Sequence, residues 1–191
     1  MYICTPKLTY IGLRGESSSI KAIPSFLTDL PDGSETVETF ALDMGGSNIR
    51  ILHLELTGDG QIKKVTETYR DIIPESIMSG SGDELFEFLA SCVAKVVHKG
   101  DSNKALGFTF SFPVDQLSLS SGNLIAWTKA FSASGVVGKD VVKLLDEKMK
   151  ALDLNIRVTA LINDTCGTLI AGCYQQKTDQ CRIGLILGTG M

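Results

Sequence analysis

The sequence lacks the patterns that mark several whole classes of protein. It has no apolar run long enough to cross a bilayer and no Lys/Arg run that would form a basic stripe. Its net charge of −4 also argues against nucleic acid as the main partner. Only five prolines stand against nineteen glycines, which favours tight turns over a disordered linker. We therefore expect a globular protein with no membrane span and no nucleic-acid partner.

Cysteine is scarce as well, and no two cysteines form a CxxC pair. The five cysteines lie at positions 4, 92, 166, 173 and 181. An odd number in a chain of this kind indicates reduced, mostly buried thiols rather than a disulfide framework or a metal site. The first residues show no basic segment followed by an apolar one, so we expect no secretory leader and a cytoplasmic protein.

Hydrophobic spacing predicts strands and then a helix in the first half of the chain. The predicted strands are Thr39–Leu42, Ile49–Leu56 and Ile62–Asp71. The first two are joined by a glycine turn and form a hairpin. Asp83–His98 has the apolar periodicity of a helix, with Ser81 or Asp83 as its cap.

The second half alternates between strand and helix patterns. The predicted elements are a strand at Ala105–Ser111, a long loop from Phe112 to about Gly135, a helix at Gly138–Leu152, a strand at Ile156–Ile162, a helix from about Thr165 to Tyr174 and a strand at Arg182–Leu187. A three-stranded meander followed by this alternation predicts an α/β fold with a mixed sheet.

The glycine turn of the hairpin has the composition of a phosphate-binding loop. Gly45 and Gly46 have no Cβ atoms to keep phosphate oxygens away from their N–H groups. Asp43 could hold Mg²⁺ through water, and Arg50 could stabilise charge on phosphate. An ordinary β-turn after an aspartate is the alternative. The other donors in the turn are Ser47 and Asn48.

Two segments combine aromatic residues with hydrogen-bonding groups, as sugar sites do. Phe110-Ser111-Phe112-Pro113 ends a strand, and Trp127-Thr128-Lys129 lies in the predicted loop. A sugar pocket needs polar groups on rigid supports beside an apolar wall. The alternative makes Trp127 a core anchor and Lys129 a solvated charge.

Two further segments follow predicted strands. In Asn163-Asp164-Thr165 the aspartate could act as a general base for a hydroxyl. The alternative is a helix cap, for which all three residue types are common. Leu187-Gly188-Thr189-Gly190 repeats the arrangement of strand and glycine turn, and a plain turn explains it equally well.

Together these segments resemble the eukaryotic-type hexokinase/glucokinase family. Asp43–Arg50 is similar to the family's first phosphate motif, and Leu106–Phe131 is similar to its sugar-binding signature. Gly188-Thr189-Gly190 looks like the start of its second phosphate motif, and Ser18–Phe26 resembles the segment before the first. Small departures are Ser47 for the usual threonine and Ala130 for the usual glycine.

The resemblance implies a fold, a reaction and a set of roles. The fold is the actin-like ATPase (ribonuclease H-like) fold, a mixed sheet flanked by helices, in two lobes that close on sugar and ATP. Asp164 is implied as the base for the 6-hydroxyl of a hexose. The implied sugar-binding residues are Ser111, Phe112, Pro113, Thr128, Lys129 and Asn163. The residues implied to meet ATP are Asp43, Gly45, Gly46, Ser47, Asn48, Arg50, Gly188 and Thr189, with Mg²⁺ at Asp43 through water.

The implied organisation is a lead-in over residues 1–20, a small lobe over 21–166 and the start of a large lobe over 167–191. The remainder of the large lobe is expected to lie outside this sequence, so we expect this stretch alone to be inactive. The implied activity of the parent protein is ATP-dependent phosphorylation of a hexose at its 6-hydroxyl, the first step of glycolysis. Glucose is the first candidate for the hexose. Two alternatives are a non-catalytic sugar-binding sensor or regulatory half of hexokinase type, and a polyol kinase of the same fold.

Overall fold

The computed structural model describes residues 23–60, 62–97, 103–176, 181 and 183–187. The strands are β1 (Thr36–Gly45), β2 (Asn48–Thr57), β3 (Ile62–Ile72), β4 (Ala105–Phe110), β5 (Val114–Ser118), β6 (Ser121–Leu124) and β7 (Arg157–Ile162). The helices are α1 (Glu75–Met78), α2 (Gly82–Ala94), α3 (Val141–Ala151) and α4 (Asp164–Gln176). The three-stranded meander is as the sequence predicts, and so is the alternation of strand and helix from β4 to α4 apart from the β5–β6 hairpin.

The main sheet is mixed, as predicted. Its five strands lie in the order β3-β2-β1-β4-β7, with antiparallel pairs on the β3 side and parallel pairs on the β7 side. Because β1, β4 and β7 run in parallel, their carboxyl ends meet at one edge of the sheet. The residues that follow these three strands are therefore brought together.

One apolar core joins the sheet to its helices. The predicted apolar face of α2 is buried, including Leu85, Leu89 and Cys92. Helix α2 packs against α3, which also contacts β6 and β7. Burying each large apolar side chain contributes about 1.5–3 kcal/mol. Among the helices of the described ranges, none is both long and apolar enough to cross a membrane.

The helix starts show which of the possible caps the chain uses. Ser81 caps α2, because its Oγ accepts from the Glu84 N–H while the Glu84 carboxylate accepts from the Ser81 N–H. The other candidate, Asp83, lies in the first turn and forms an ion pair with Lys148. Asp140 caps α3 by accepting from the Val142 N–H at 3.0 Å.

The prediction of one long loop from Phe112 to about Gly135 is wrong. Its first part folds as a hairpin of β5 and β6, with Val114 opposite Leu124. The strands are short and each contains a serine, so no long apolar alternation indicated them. The hairpin is stabilised by its attachment to β7, because the Leu161 N–H of that strand donates to the Leu119 carbonyl at 2.7 Å.

The predicted strand at Arg182–Leu187 is also wrong for its described residues, 183–187, which form no strand. Instead the segment packs on α4: a Cβ added at Gly184 would lie 2.8 Å from the Thr165 carbonyl oxygen. The apolar composition of the segment favoured a strand, but the segment contacts helix α4 instead of pairing with another strand. The lead-in over 1–20, and Gly188 and Thr189, lie outside the described residues.

Candidate active site

The predicted functional residues converge at the edge where the parallel strands end. In the ladder, Asp43 of β1 lies opposite Thr109 of β4, and Thr109 lies opposite Ile162 of β7. Ser111 continues this ladder, since its N–H donates to the Met44 carbonyl at 3.1 Å. Asp43, Ser111 and the Asn163–Asp164 pair therefore lie on neighbouring strand ends, although more than a hundred residues separate the first from the last.

The β1–β2 turn brings open backbone close to this edge. Gly46 has φ +55°, which a glycine adopts without strain, and a Cβ there would meet no atom within 4 Å. At Gly45 the same atom would lie 3.3 Å from Ser111 Oγ, so the β1–β2 turn packs directly on the predicted sugar-binding serine. The Ser47 carbonyl accepts from Ile73 N–H and fixes the turn from behind.

The polar groups of this turn remain available for a ligand. Ser47 and Arg50 are exposed, and Asn48 is half-buried. Asn48 Oδ1 accepts weakly, at 3.5 Å, from the Arg70 guanidinium. The composition and openness of the turn fit phosphate oxygens, which need backbone N–H groups without shielding Cβ atoms.

Asp43 lies in an electrostatic environment of both signs. Burial is the main cause that raises its pKa above the ordinary value, and the Asp164 carboxylate raises it further. Arg50 and Lys129 act in the opposite direction. Two carboxylates and two cations are thus gathered around the strand end, a pattern found at functional sites.

The donor set at this edge fits a magnesium ion that keeps most of its waters. No group of three His, Cys, Asp or Glu side chains able to hold a metal occurs in the described parts of the chain. Magnesium does not require such a cage, because it binds through one or two carboxylates plus water and substrate phosphates. Asp43 is the carboxylate that fits.

Lys129 takes a strained backbone conformation and reaches Ser111. Its φ is +60°, which costs a residue with a Cβ about 1 kcal/mol. Its Nζ donates to the Ser111 carbonyl at 3.1 Å and lies 5.2 Å from the Phe112 ring centroid. The lysine is exposed, but it is not simply the solvated charge of the alternative interpretation. Thr128 beside it is exposed and accepts from the Phe131 N–H at 3.4 Å.

An aromatic cluster holds the loop that carries Lys129. Trp127 stacks on Phe131 at 5.4 Å and meets the edge of Phe112 at 4.9 Å. Its Nε1–H donates to the Ala133 carbonyl at 2.8 Å, so Trp127 is the core anchor of the alternative interpretation. Such aromatic pairs each contribute about 0.5–1.5 kcal/mol beyond burial.

The same loop is tied to the start of α2. The Ser132 and Ser134 N–H groups donate to the carbonyls of Met78 and Gly80, each at 2.9 Å. The Gly82 N–H returns a bond of 2.8 Å to the Ser134 carbonyl. The strained conformation at Lys129 is therefore held from both sides.

Asn163 and Asp164 begin α4. Asn163 Oδ1 accepts from the Thr165 N–H at 3.0 Å, and Asp164 Oδ1 accepts from the same N–H at 2.9 Å. Asn163 therefore caps α4, whereas Asp164 is the first residue of the helix. This arrangement does not exclude the base, because the second carboxylate oxygen of Asp164 has no such bond to the helix among the described contacts. The roles of both residues in sugar binding and proton transfer stay predictions.

A cavity of about 730 Å³ adjoins this edge. Four predicted sugar-binding residues line it: Ser111, Phe112, Pro113 and Asn163. Thr128, Lys129 and Asp164 do not line it, and Ser111 lies between the cavity and the Lys129 ammonium. Lining residues to which the sequence analysis assigned no site role are Ile23, Pro24, Ser25, Val114, Gln116, Leu161, Ile162, Thr165 and Cys166. Only their closeness to predicted motifs could have indicated them.

Comparison with known proteins points to one family. The sequence profile described as hexokinase matches residues 7–174. Hexokinase-7 of Oryza sativa subsp. japonica is 47% identical over 187 residues, and the hexokinase of Brugia malayi is 42% identical over 185. Each alignment covers 94% of this chain. A solved structure of Schistosoma mansoni hexokinase complexed with glucose matches with a TM-score of 0.78 and 40% identity, over 88% of this chain.

The chain is short beside these proteins. It spans 40% of the Oryza protein, 32% of the Brugia protein and 39% of the Schistosoma structure. The likeness therefore concerns one part of each relative.

Proposed function

The chain belongs to the hexokinase family, and from this premise we propose that it forms the sugar-binding and proton-accepting part of an ATP-dependent hexose 6-phosphotransferase. Glucose is the first candidate substrate, since the matching Schistosoma hexokinase is complexed with glucose. The partner needed for activity is the large lobe that the relatives' greater length implies.

The proposed reaction assigns a role to each strand end. Asp164 takes the proton of the hexose 6-hydroxyl while the hydroxyl oxygen attacks the γ-phosphorus of ATP. The bond between the γ-phosphorus and the oxygen of the leaving ADP breaks. Products are the hexose 6-phosphate, ADP and a proton. Ser111, Thr128, Lys129 and Asn163 orient the sugar, and the bond from the Lys129 ammonium to the Ser111 carbonyl holds these two residues together.

ATP is proposed to lie against the β1–β2 turn. Gly46 has open space where a Cβ would lie, so a phosphate could approach the backbone there, and Arg50 supplies a cation near Asp43. Magnesium, when bound with ATP, neutralises charge on the phosphates. Asp43 would hold it through water. The second glycine turn, with Gly188 and Thr189, would face this one.

The observation that carries the proposal is the meeting of Asp43, Ser111 and the Asn163–Asp164 pair at one sheet edge. Parallel pairing of β1, β4 and β7 sets their spacing without any loop. A serine proposed to bind the sugar, the candidate base and the turn proposed to bind phosphate are thus adjacent, and phosphoryl transfer requires such groups close together.

The first experiment measures ADP release from this chain with glucose and MgATP, beside Asp164→Asn. The side-chain amide keeps the shape and can still accept from the Thr165 N–H, but it cannot take a proton. We expect no turnover above this control in the chain alone. In a protein that includes the large lobe, the same change should lower turnover by about 10²- to 10⁴-fold with sugar still bound.

Two results would change the proposal. Full activity of Asp164→Asn in the longer protein would show that another group is the base. Glucose binding without ATP turnover in the longer protein would favour the sugar-sensing alternative. A cytoplasmic location stays a prediction, and subcellular fractionation tests it.

A further inference from the structure

The β5–β6 hairpin connects two groups of predicted sugar-binding residues. It begins immediately after Ser111–Pro113 and docks on β7, the strand that leads to Asn163. One contact is the bond from the Leu161 N–H to the Leu119 carbonyl. A second is the close packing of Gly122 on the Leu161 side chain, where an added Cβ would lie 3.1 Å from Cδ2.

Gln116 makes a third contact, and it is the only polar side chain of β5 that lines the cavity. Its Nε2 donates to the Leu161 carbonyl at 2.5 Å, across 45 residues of sequence. Its Oε1 accepts from the Phe26 N–H at 3.4 Å. One amide therefore joins three parts of the cavity wall: the hairpin, the end of β7 and the segment around Phe26.

The neighbours of Gln116 in β5 do not share this position. Asp115 and Leu117 are exposed, as the alternation of a strand requires, and neither lines the cavity. Ile23, Pro24 and Ser25, by contrast, line it beside Gln116. Without the bond to Gln116, the wall that these residues form would lose a direct attachment to the hairpin.

We propose that Gln116 is a positioning residue, whose amide sets the separation between the Ser111–Pro113 wall and the strand that carries Asn163, and holds the Ile23–Ser25 segment across the cavity. Its contribution to hexose binding rests on the proposed function. Its effect on the cavity wall does not, so the two can be tested separately.

The test compares Gln116→Met with Leu117→Ala in the 191-residue chain. Methionine keeps the length and approximate volume of glutamine but loses both hydrogen bonds. Leu117 is 55% exposed on the opposite face of the same strand, so its variant controls for general damage to the hairpin. The probe is the rate at which iodoacetamide alkylates Cys166, which lines the cavity, resolved from the other cysteines by peptide mass spectrometry.

We expect the alkylation rate of Cys166 to rise at least about fivefold in Gln116→Met, because the loss of even one of its two hydrogen bonds changes an opening equilibrium by that factor. Leu117→Ala should leave this rate unchanged. Equal rates in Gln116→Met and the wild type would overturn the proposal, as would an equal rise in both variants.

Gln116→Glu gives a readout that a merely structural role would not change. The carboxylate cannot donate to the Leu161 carbonyl, whereas the protonated acid can. The Cys166 alkylation rate of Gln116→Glu, divided by the wild-type rate at the same pH, should therefore fall as the pH is lowered. A ratio that does not depend on pH contradicts donation by residue 116.

Glucose titration, followed by the fluorescence of the single tryptophan, separates this inference from the proposed function. If the wild type responds to glucose, we expect the apparent Kd to rise about fivefold in Gln116→Met. If the wild type gives no response, sugar binding by this chain fails, and the alkylation rates alone decide the role of Gln116.

Discussion

At the scale of single residues, Lys129 combines a backbone requirement with a side-chain function. Its left-handed φ would suit glycine, yet its ammonium contacts the Ser111 carbonyl. The left-handed backbone of Lys129 costs conformational free energy, and its side chain places a cation at the end of β4. Such strain persists only where the surroundings fix it, as the aromatic cluster and the bonds to the α1–α2 turn do here.

The strained backbone at position 129 predicts that glycine is more stable there than alanine, the reverse of the usual order. Lys129→Ala and Lys129→Gly lose the same ammonium, but only alanine keeps a Cβ in the left-handed conformation. We expect the glycine variant to be more stable than the alanine variant by about 1 kcal/mol, measured by urea unfolding. At Ala130, whose φ is not positive, replacement by glycine should instead destabilise the chain. If alanine is at least as stable as glycine at position 129, as it is expected to be at position 130, Lys129 is not strained.

Asp146 is a residue whose charge opposes folding. Burial is the main cause that raises its pKa, and Asp140 adds to it, while the bond from the Val158 N–H and the charge of Arg157 act in the opposite direction. A raised pKa in the folded state means that the folded protein binds the proton more tightly. The folded state is therefore favoured at low pH, and this advantage disappears as the pH rises through the raised pKa.

We expect Asp146→Asn to increase the free energy of unfolding at neutral pH, since the amide oxygen can still accept from Val158 N–H. The gain over the wild type should shrink as the pH falls through the raised pKa, because the wild-type carboxyl is then neutral too. Urea unfolding across that range measures it. Glu147→Gln, at an exposed position on the same helix, is the matched control for the loss of one negative charge. A gain that persists in acid would refute the electrostatic cause.

At the scale of elements, the attachment of the β5–β6 hairpin depends on a glycine. Gly122 packs against Val114 and Leu161, and a methyl group there has no room. We expect Gly122→Ala to cost about 1–3 kcal/mol, because the hairpin must move away from β7. Gly107→Ala in β4 is the matched control, as its Cβ would meet nothing closer than 3.9 Å. Similar melting temperatures for the two variants would show that the hairpin moves freely.

The sequence predicted long elements well and short ones poorly. Helix α2 and the β1–β2 hairpin were recognisable because many apolar residues repeat at one period. The β5–β6 hairpin was missed because it is short and polar, and its stability comes from Leu161, far along the chain. The strand expected at Arg182–Leu187 shows the reverse error: strand-like composition does not by itself supply a partner.

The candidate site was predictable in its residues but not in its arrangement. Motif spacing indicated Asp43, Ser111 and Asp164, while their meeting point follows from the order of the strands. Gln116 could not be found from sequence, since its bonds join segments 45 and 90 residues away. Contacts of that range leave no local pattern.

At the scale of the whole molecule, the described residues share one apolar core. It includes residues of the sheet, of α2 and α3, and of the loop beside Trp127. Trp127 is the only tryptophan, so its fluorescence reports on that loop alone. We expect urea unfolding followed by this fluorescence to coincide with unfolding followed by far-ultraviolet circular dichroism, as for one cooperative unit. An earlier fluorescence transition would show that the loop unfolds separately.

The meeting of β1, β4 and β7 at one edge also determines where the chain can change its length. Adjacent strands lie about 4.8 Å apart, and successive side chains in a strand point to opposite faces. One residue inserted within β4 would turn every later side chain of that strand over and shift Ser111 from its place beside Gly45. Residues inserted at the tip of the β5–β6 hairpin leave the three strand ends where they are. Variation in length among relatives of this chain should therefore collect in its turns, while the strands that end at the site keep their residue count.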